Sequence, residues 1–250
     1  MTIIIALKCK DGTVIASDGR IVRGDEFRSE QKIFKISEKV IVGLAGSTGV
    51  IKRIVRALLP LNISGLKSDE EIEKIEKTIA NIYNYHRNLY KDNFDSKLEF
   101  NEQFYGTLLA IDDENIYLFF FDGYPEPCSK YEAIGSASGY VRTLIEGLYE
   151  EDMDINRGLE LAVYCILQAM KVSRDIGEPI QLGVVGKEAR IQNQELVDEI
   201  VKRINGREKV LHDIWNIISR EPGFQEEMEK LIRSKLNRQP KISLNFTSNL

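Results

Sequence analysis

The chain has 250 residues, 43% of them apolar and 29% charged, which is enough for one sizeable core and too apolar for disorder. Its 34 basic and 39 acidic residues leave a net charge of -5, with no sign-biased field to gather nucleic acid or an anionic membrane surface. The opening MTIIIALKCKDG lacks a basic segment ahead of its short apolar run, which argues against a signal peptide or a membrane span.

Thr2 to Leu7 and Thr13 to Ser17 are β-branched, apolar runs around Lys10-Asp11-Gly12, the pattern of a hairpin. Gln31 to Ile36 and Val40 to Leu44 read as a second strand pair. Val50, Ile51, Ile54, Val55 and Leu58 recur at helical spacing between Gly49 and Leu59, and Pro60 stops the run. Ser68-Asp69-Glu70-Glu71 is a capping box opening a second helix, whose stripe of Ile72, Ile75, Ile79, Ile82 and Tyr83 carries it to about Tyr90. A polar loop from Lys91 to Asn101 leads to strands at Phe104 to Ile111, Asn115 to Phe121 and Tyr131 to Ile134. Gly139 to Tyr149 and Asn156 to Lys171 are helical, and Pro179 to Gly186 is a strand. Helices are expected at Gln194 to Ile204, Glu208 to Ser219 and Gln225 to Leu236. This order predicts two packed sheets with helices on their outer faces.

The three cysteines, Cys9, Cys128 and Cys165, are far apart and odd in number, which points away from a disulfide framework and toward a reducing compartment, the cytoplasm. His86 and His212 both lie on helical runs and read as structural, so a histidine-served nucleophile is not expected. HExxH, zinc-spaced Cys/His clusters, GxxxxGK[ST] and GxGxxG are all missing from the sequence, and no metal or cofactor is expected. The remaining economical base for a hydroxyl nucleophile is a free α-amine on the same residue, whose pKa lies near ~7.7–8.0. Thr2 would qualify once Met1 is removed.

Thr2 keeps informative company: TIIIALKCKDGTVIASDGR, then EQKIFKI, VIVGLAGSTG and YEAIGSASGYV. This series resembles the proteasome β-subunit family of N-terminal nucleophile (Ntn) hydrolases over about residues 2 to 190. The resemblance implies an α+β fold, a four-layer αββα sandwich, over 1–190 with a helical insertion near 61–103. Residues 191–250 would be a C-terminal helical extension packed on the same domain. The family's acidic residue, sixteen positions after the nucleophile in Ala16-Ser17-Asp18-Gly19-Arg20, maps to Asp18, and its lysine maps to Lys32. The oxyanion-stabilising glycine is placed at Gly43, and the serine that bonds the amine at Ser136. The family's aspartate that orients the amine falls on Ser173 without a gap, or on Asp175 with one. The Ile176-Gly177-Glu178-Pro179-Ile180 stretch is similar to the ancestral β-subunit (Anbu) branch rather than to the central peptidase rings. The α type, whose regulatory helix precedes the first strand, is disfavoured by the start at Thr2.

The resemblance implies a threonine-type endopeptidase, a hydrolase that cleaves peptide bonds through an acyl-enzyme at Thr2. Two rivals stand beside it: a transpeptidase or protein ligase using the same acyl-enzyme, and an inert structural subunit. Implied partners are a peptide or unfolded protein substrate, identical or related subunits in a ring or spiral, and an ATPase regulator, with neither nucleic acid nor membrane. Ile41 and Ala45, flanking Gly43, suggest a preference for apolar side chains.

Overall fold

A computed structural model describes residues 2–23, 26–90, 106–121, 124–218 and 230. The N-terminal run folds as the expected hairpin of β1 (Ile3–Cys9) and β2 (Gly12–Asp18). It lies at the centre of a five-stranded antiparallel sheet. Here β10 (Tyr131–Gly135) pairs with β1, while β11 (Ile180–Val185) and β12 (Ala189–Ile191) continue from β2. The second sheet runs β5 (Ile33–Lys35), β6 (Ile41–Gly46), β7 (Gly106–Ile111), β8 (Ile116–Phe120) and β9 (Glu126–Cys128), again antiparallel throughout.

Helices cover both outer faces, as the segment order predicts. Against the second sheet, α1 (Thr48–Leu58) and α2 (Asp69–Tyr90) bury Ile54, Leu58, Ile75 and Ile79 over Val42, Leu44 and Leu108. One half of the capping box forms, the Glu71 N–H donating to Ser68 Oγ at 3.4 Å, while the Glu71 carboxylate accepts instead from the Ser64 N–H at 3.3 Å. The first sheet is covered by α3 (Ser138–Leu148) and α4 (Ile155–Val172), the latter capped by Asp154 accepting from the Arg157 N–H at 2.9 Å. A second core fills the space between the sheets, with Ile4, Ala6 and Ile15 meeting Ile41, Leu109 and Ile111. Strand β1 therefore meets apolar layers on both faces, which is why its sequence is a continuous apolar run rather than an alternating one. Each isoleucine so buried stabilises the fold by roughly 1.5–3 kcal/mol.

Four strands escape the sequence reading. Between β2 and β5, the ribbon of β3 (Arg20–Arg23) and β4 (Glu26–Ser29) has arms of four residues, and β4 is exposed throughout. No apolar alternation announces so short and solvated a pair, although Gly24-Asp25 between its arms is a hairpin signal. Strands β9 (Glu-Pro-Cys) and β12 (Ala-Arg-Ile) are three residues each and lie outside any longer apolar run of the kind that reveals the equally short β5. The helices expected at 194–204 and 208–219 are one helix, α5 (Gln194–Ile218). Gly206 sits inside it with open space beside its Cα, and an interior helical glycine costs only ~1 kcal/mol. By internal contacts, Met1–Ile200 forms one compact unit and Val201–Leu250 a second. The helix expected at 225–236 and the loop at 91–101 lie outside the described residues, Lys230 excepted.

Candidate active site

Asp18 ends β2 with no solvent exposure, and its carboxylate is filled by four donors. Oδ1 accepts from the Ile3 N–H at 3.0 Å and from Lys32 Nζ at 2.8 Å. Oδ2 accepts from the N–H groups of Arg20 at 3.2 Å and Gly177 at 3.3 Å. Lys32 precedes β5 and is 4% exposed. Its ammonium also donates to the Arg20 carbonyl at 2.7 Å. Burial pulls the Lys32 pKa below the ordinary lysine value, and the attraction of Asp18 opposes it.

Thr2 is held through the peptide group that follows it. On its C-terminal side the Ile3 N–H is bound by Asp18, and its own carbonyl accepts from the Ser136 N–H at 2.9 Å and Ser136 Oγ at 3.4 Å. The neighbouring Gly135 pairs with Ile3 at φ +105°. A Cβ at Gly135 would lie 2.0 Å from the Thr2 carbonyl oxygen, so only glycine permits this approach.

Thr2, Lys32 and Ser136 line one cavity of about 730 Å³. Ile21, Val22, Ala45, Ile51 and Ile134 supply apolar wall, and Glu30 and Lys52, paired at 2.8 Å, add charge. The junction of β6 and α1 also lines the cavity, through Gly46, Ser47, Thr48 and Gly49. Ser47 makes no side-chain cap bond, so the first amide donors of α1, at the positive end of its dipole, are left available at the cavity edge.

Several expected residues sit elsewhere. Gly43 lies mid-strand in β6 between Ile33 and Leu109. A Cβ there would meet Ile4 at 2.7 Å and Ile15 at 2.9 Å, so this glycine lets the two sheets approach and is not part of the cavity wall. Ile41 likewise belongs to the core between the sheets, whereas Ala45 does reach the cavity. The glycine of this strand that lines the cavity with Thr2 is Gly46, at φ +141°. Its signal was in the sequence: Gly-Leu-Ala-Gly holds two glycines, and the second directly precedes Ser47, the N-cap of α1.

Asp175 is not among the cavity residues; its carboxylate lies 3.9 Å from Arg174 Nε. Ser173 caps the C-terminus of α4, its N–H donating to the Ala169 carbonyl. What this loop gives the site is backbone. The Gly177 N–H binds Asp18, its carbonyl accepts from the N–H groups of Gly19 and Arg20 at 3.1 Å each, and Arg20 Nη1 donates to the Arg174 carbonyl at 2.7 Å. Ser136 is where expected in the chain, but its hydroxyl donates to the Thr2 carbonyl. No cysteine competes as nucleophile, because burial pushes the thiols of Cys9 and Cys165 up to about 12 and that of Cys128 to about 11.

The four layers, and a threonine at the head of a central strand beside a buried Asp–Lys pair, define the sandwich of the N-terminal nucleophile hydrolases. Residues 2–185 match the family described as Proteasome subunit, and the chain belongs to it. It is 28% identical to a proteasome subunit beta of Methanosarcina barkeri over 196 residues, covering 75% of this chain and 87% of that one. It is 26% identical to a proteasome subunit alpha of Methanococcus maripaludis over 208 residues, covering 80% and 76%. In fold it is similar to Anbu, the ancestral β-subunit, from Yersinia bercovieri. The TM-score is 0.66 at 16% identity, covering 90% of this chain and all of the other.

Proposed function

We propose that this chain is a threonine-type peptidase of the proteasome β kind, active once Met1 has been removed. The observation that carries the reading is the shared cavity of Thr2 and Lys32, with Asp18 bound to both the Lys32 ammonium and the Ile3 amide. The freed Thr2 amine takes the hydroxyl proton, and Oγ1 attacks the substrate carbonyl carbon. Lys32, its pKa lowered by burial, makes the site electrostatically positive and favours the developing alkoxide. The oxyanion forms against the amide donors at the Gly46–Thr48 junction. Collapse of the tetrahedral species expels the leaving amine, which receives the proton held by the Thr2 amine, and leaves an ester on Thr2. Water then releases a carboxylic acid and restores the hydroxyl.

The relatives named above are subunits, and assembly with copies of itself or related subunits in a ring or spiral belongs to this reading. So do a peptide or unfolded protein substrate and an ATPase regulator. A cytoplasmic setting rests on three free thiols. No helix among the described residues is long and apolar enough to cross a membrane.

The position of Asp175 outside the cavity favours a second reading, an inert subunit that keeps the fold for assembly. Relatives of both α and β name leave that possibility in play. Intact mass and inhibitor labelling separate the two. Loss of Met1 together with a β-lactone adduct mapped to Thr2 supports the peptidase; an unlabelled Thr2 in protein lacking Met1 supports the inert subunit.

A further inference from the structure

Gln181 lies on β11, opposite Ser17 of β2, yet its side chain reaches across to the other sheet. Its Oε1 accepts from the N–H groups of Lys32 at 2.9 Å and Ile33 at 3.3 Å, and its Nε2 donates to the Glu30 carbonyl at 2.7 Å. Strand β5 is the outermost of its sheet, with β6 on one side only. Among the described residues its outward edge has no strand to pair with, and one carboxamide supplies in a single plane the acceptor and donor that such an edge needs. The orientation is fixed, because a flipped amide would turn its NH2 against two N–H donors.

The consequence falls on Lys32. Its N–H is taken by Gln181 and its carbonyl by the Leu44 N–H of β6 at 3.1 Å, so the peptide groups on either side of its Cα are both held. From that fixed base Nζ reaches Asp18 and the Arg20 carbonyl together, at 2.8 Å and 2.7 Å. An ammonium bound this closely in a buried place has no slack to follow a backbone that moves.

We infer that Gln181 is a positioning residue for the candidate active site: its three hydrogen bonds fix residues 30–33 and thereby the aim of Lys32 at Asp18 beside Thr2. The inference rests on the reading of Thr2, Asp18 and Lys32 as the reacting set.

The test compares wild type with Gln181→Leu, which removes all three bonds at similar volume, and Gln181→Glu, which keeps both accepted bonds. The first readout is independent of activity. In protein carrying 13C at lysine Cε, the Lys32 resonance, assigned by its loss in Lys32→Arg, is titrated with pH. Positioning predicts that the Lys32 titration moves by about half a pH unit or more in Gln181→Leu and by less in Gln181→Glu. An unmoved titration in folded Gln181→Leu overturns the inference.

The second readout is the rate of Thr2 acylation by a β-lactone. Positioning predicts at least a ~10-fold loss in Gln181→Leu, beyond any loss of folded protein, with partial recovery in Gln181→Glu. A fall that only tracks the folded fraction means a structural stitch and overturns the positioning role. If wild type itself is not acylated, the peptidase reading fails, while the lysine titration still decides what Gln181 does. If Gln181→Leu does not fold, the smaller lesion Gln181→Glu decides in its place: a wild-type titration and wild-type rate there overturn the inference.

Discussion

The Lys32 ammonium and the Asp18 carboxylate meet at 2.8 Å with side chains 4% and 0% exposed. Such a pair is kept by its surroundings. Breaking it from one side strands a buried charge, at a cost of about 3–5 kcal/mol. Asp18 also holds three backbone N–H groups, so the two lesions differ. Lys32→Met should stay folded and lose Thr2 acylation by at least ~100-fold. Asp18→Asn should lose more stability, since its amide presents a donor where only acceptors fit. Thermal melts together with β-lactone labelling check both. Normal labelling of folded Lys32→Met would remove lysine from the mechanism.

The same pair sets a pH dependence. The folded-state pKa of Lys32 lies below its unfolded value of 10.5. Between the two, the unfolded chain binds more protons, so this group's contribution to stability rises with pH. The burial penalty is fully present below the folded pKa and relieved as pH climbs through it toward 10.5. Melting temperatures of wild type should therefore improve relative to Lys32→Met across that alkaline window. A difference that is flat with pH would mean the ammonium is not strained by burial.

Thr2 carries the chemistry in the proposed reading, so two separate lesions should each silence it. Thr2→Ala removes the hydroxyl, and a residue ahead of Thr2 that cannot be trimmed removes the free amine. Thr2→Ser should retain labelling, as both groups persist. Peptide mapping of the adduct is the measurement, and equal labelling of blocked and free N-termini would exclude the amine as base.

Gly135→Ala tests how the nucleophile is seated. The new methyl would stand 2.0 Å from the Thr2 carbonyl oxygen, at φ +105°. A loss of about 1–3 kcal/mol is expected from the backbone alone, with a further fall in acylation rate as Thr2 shifts. A variant with wild-type melting and labelling would show that this approach is unimportant.

The buried Asp18–Lys32 pair of the candidate site was legible where the pattern is local in sequence. Ala16-Ser17-Asp18-Gly19-Arg20 and Lys32 each sit at a strand end, and their intervals survive folding unchanged. Gly43 and Gly46 were not separable by pattern, because both end apolar dipeptides in the same strand and only the position of the helix start decides which faces the cavity. The loop around Asp175 was opaque for another reason: it binds Asp18 through the backbone of Gly177, and a backbone contact leaves no residue signature. The bonds of Gln181 were invisible likewise, since a glutamine in an apolar strand names no partner 149 positions away.

Ser17 offers a test of that hidden polarity. Its hydroxyl is fully buried with no hydrogen-bond partner among the described residues. Such a group costs about 1–3 kcal/mol, so Ser17→Ala should raise the melting temperature, by roughly 2–4 °C per kcal/mol at this size. A lowered melting temperature would mean the hydroxyl is bonded in solution.

The segment that starts at Thr2 is an interior strand of its sheet. From Ile3 to Leu7 it is without solvent exposure and paired with β10 on one side and β2 on the other. Chain ends ordinarily fray within nanoseconds and pay for any ordering at the moment of reaction. In the proposed reading the reacting end inherits the rigidity of a buried interior strand, its entropy surrendered once, when the sheet forms. Amide exchange at Ile4 and Ile5 should then require global opening. In rising denaturant, reactivity at the first threonine and the fold itself should disappear in one transition.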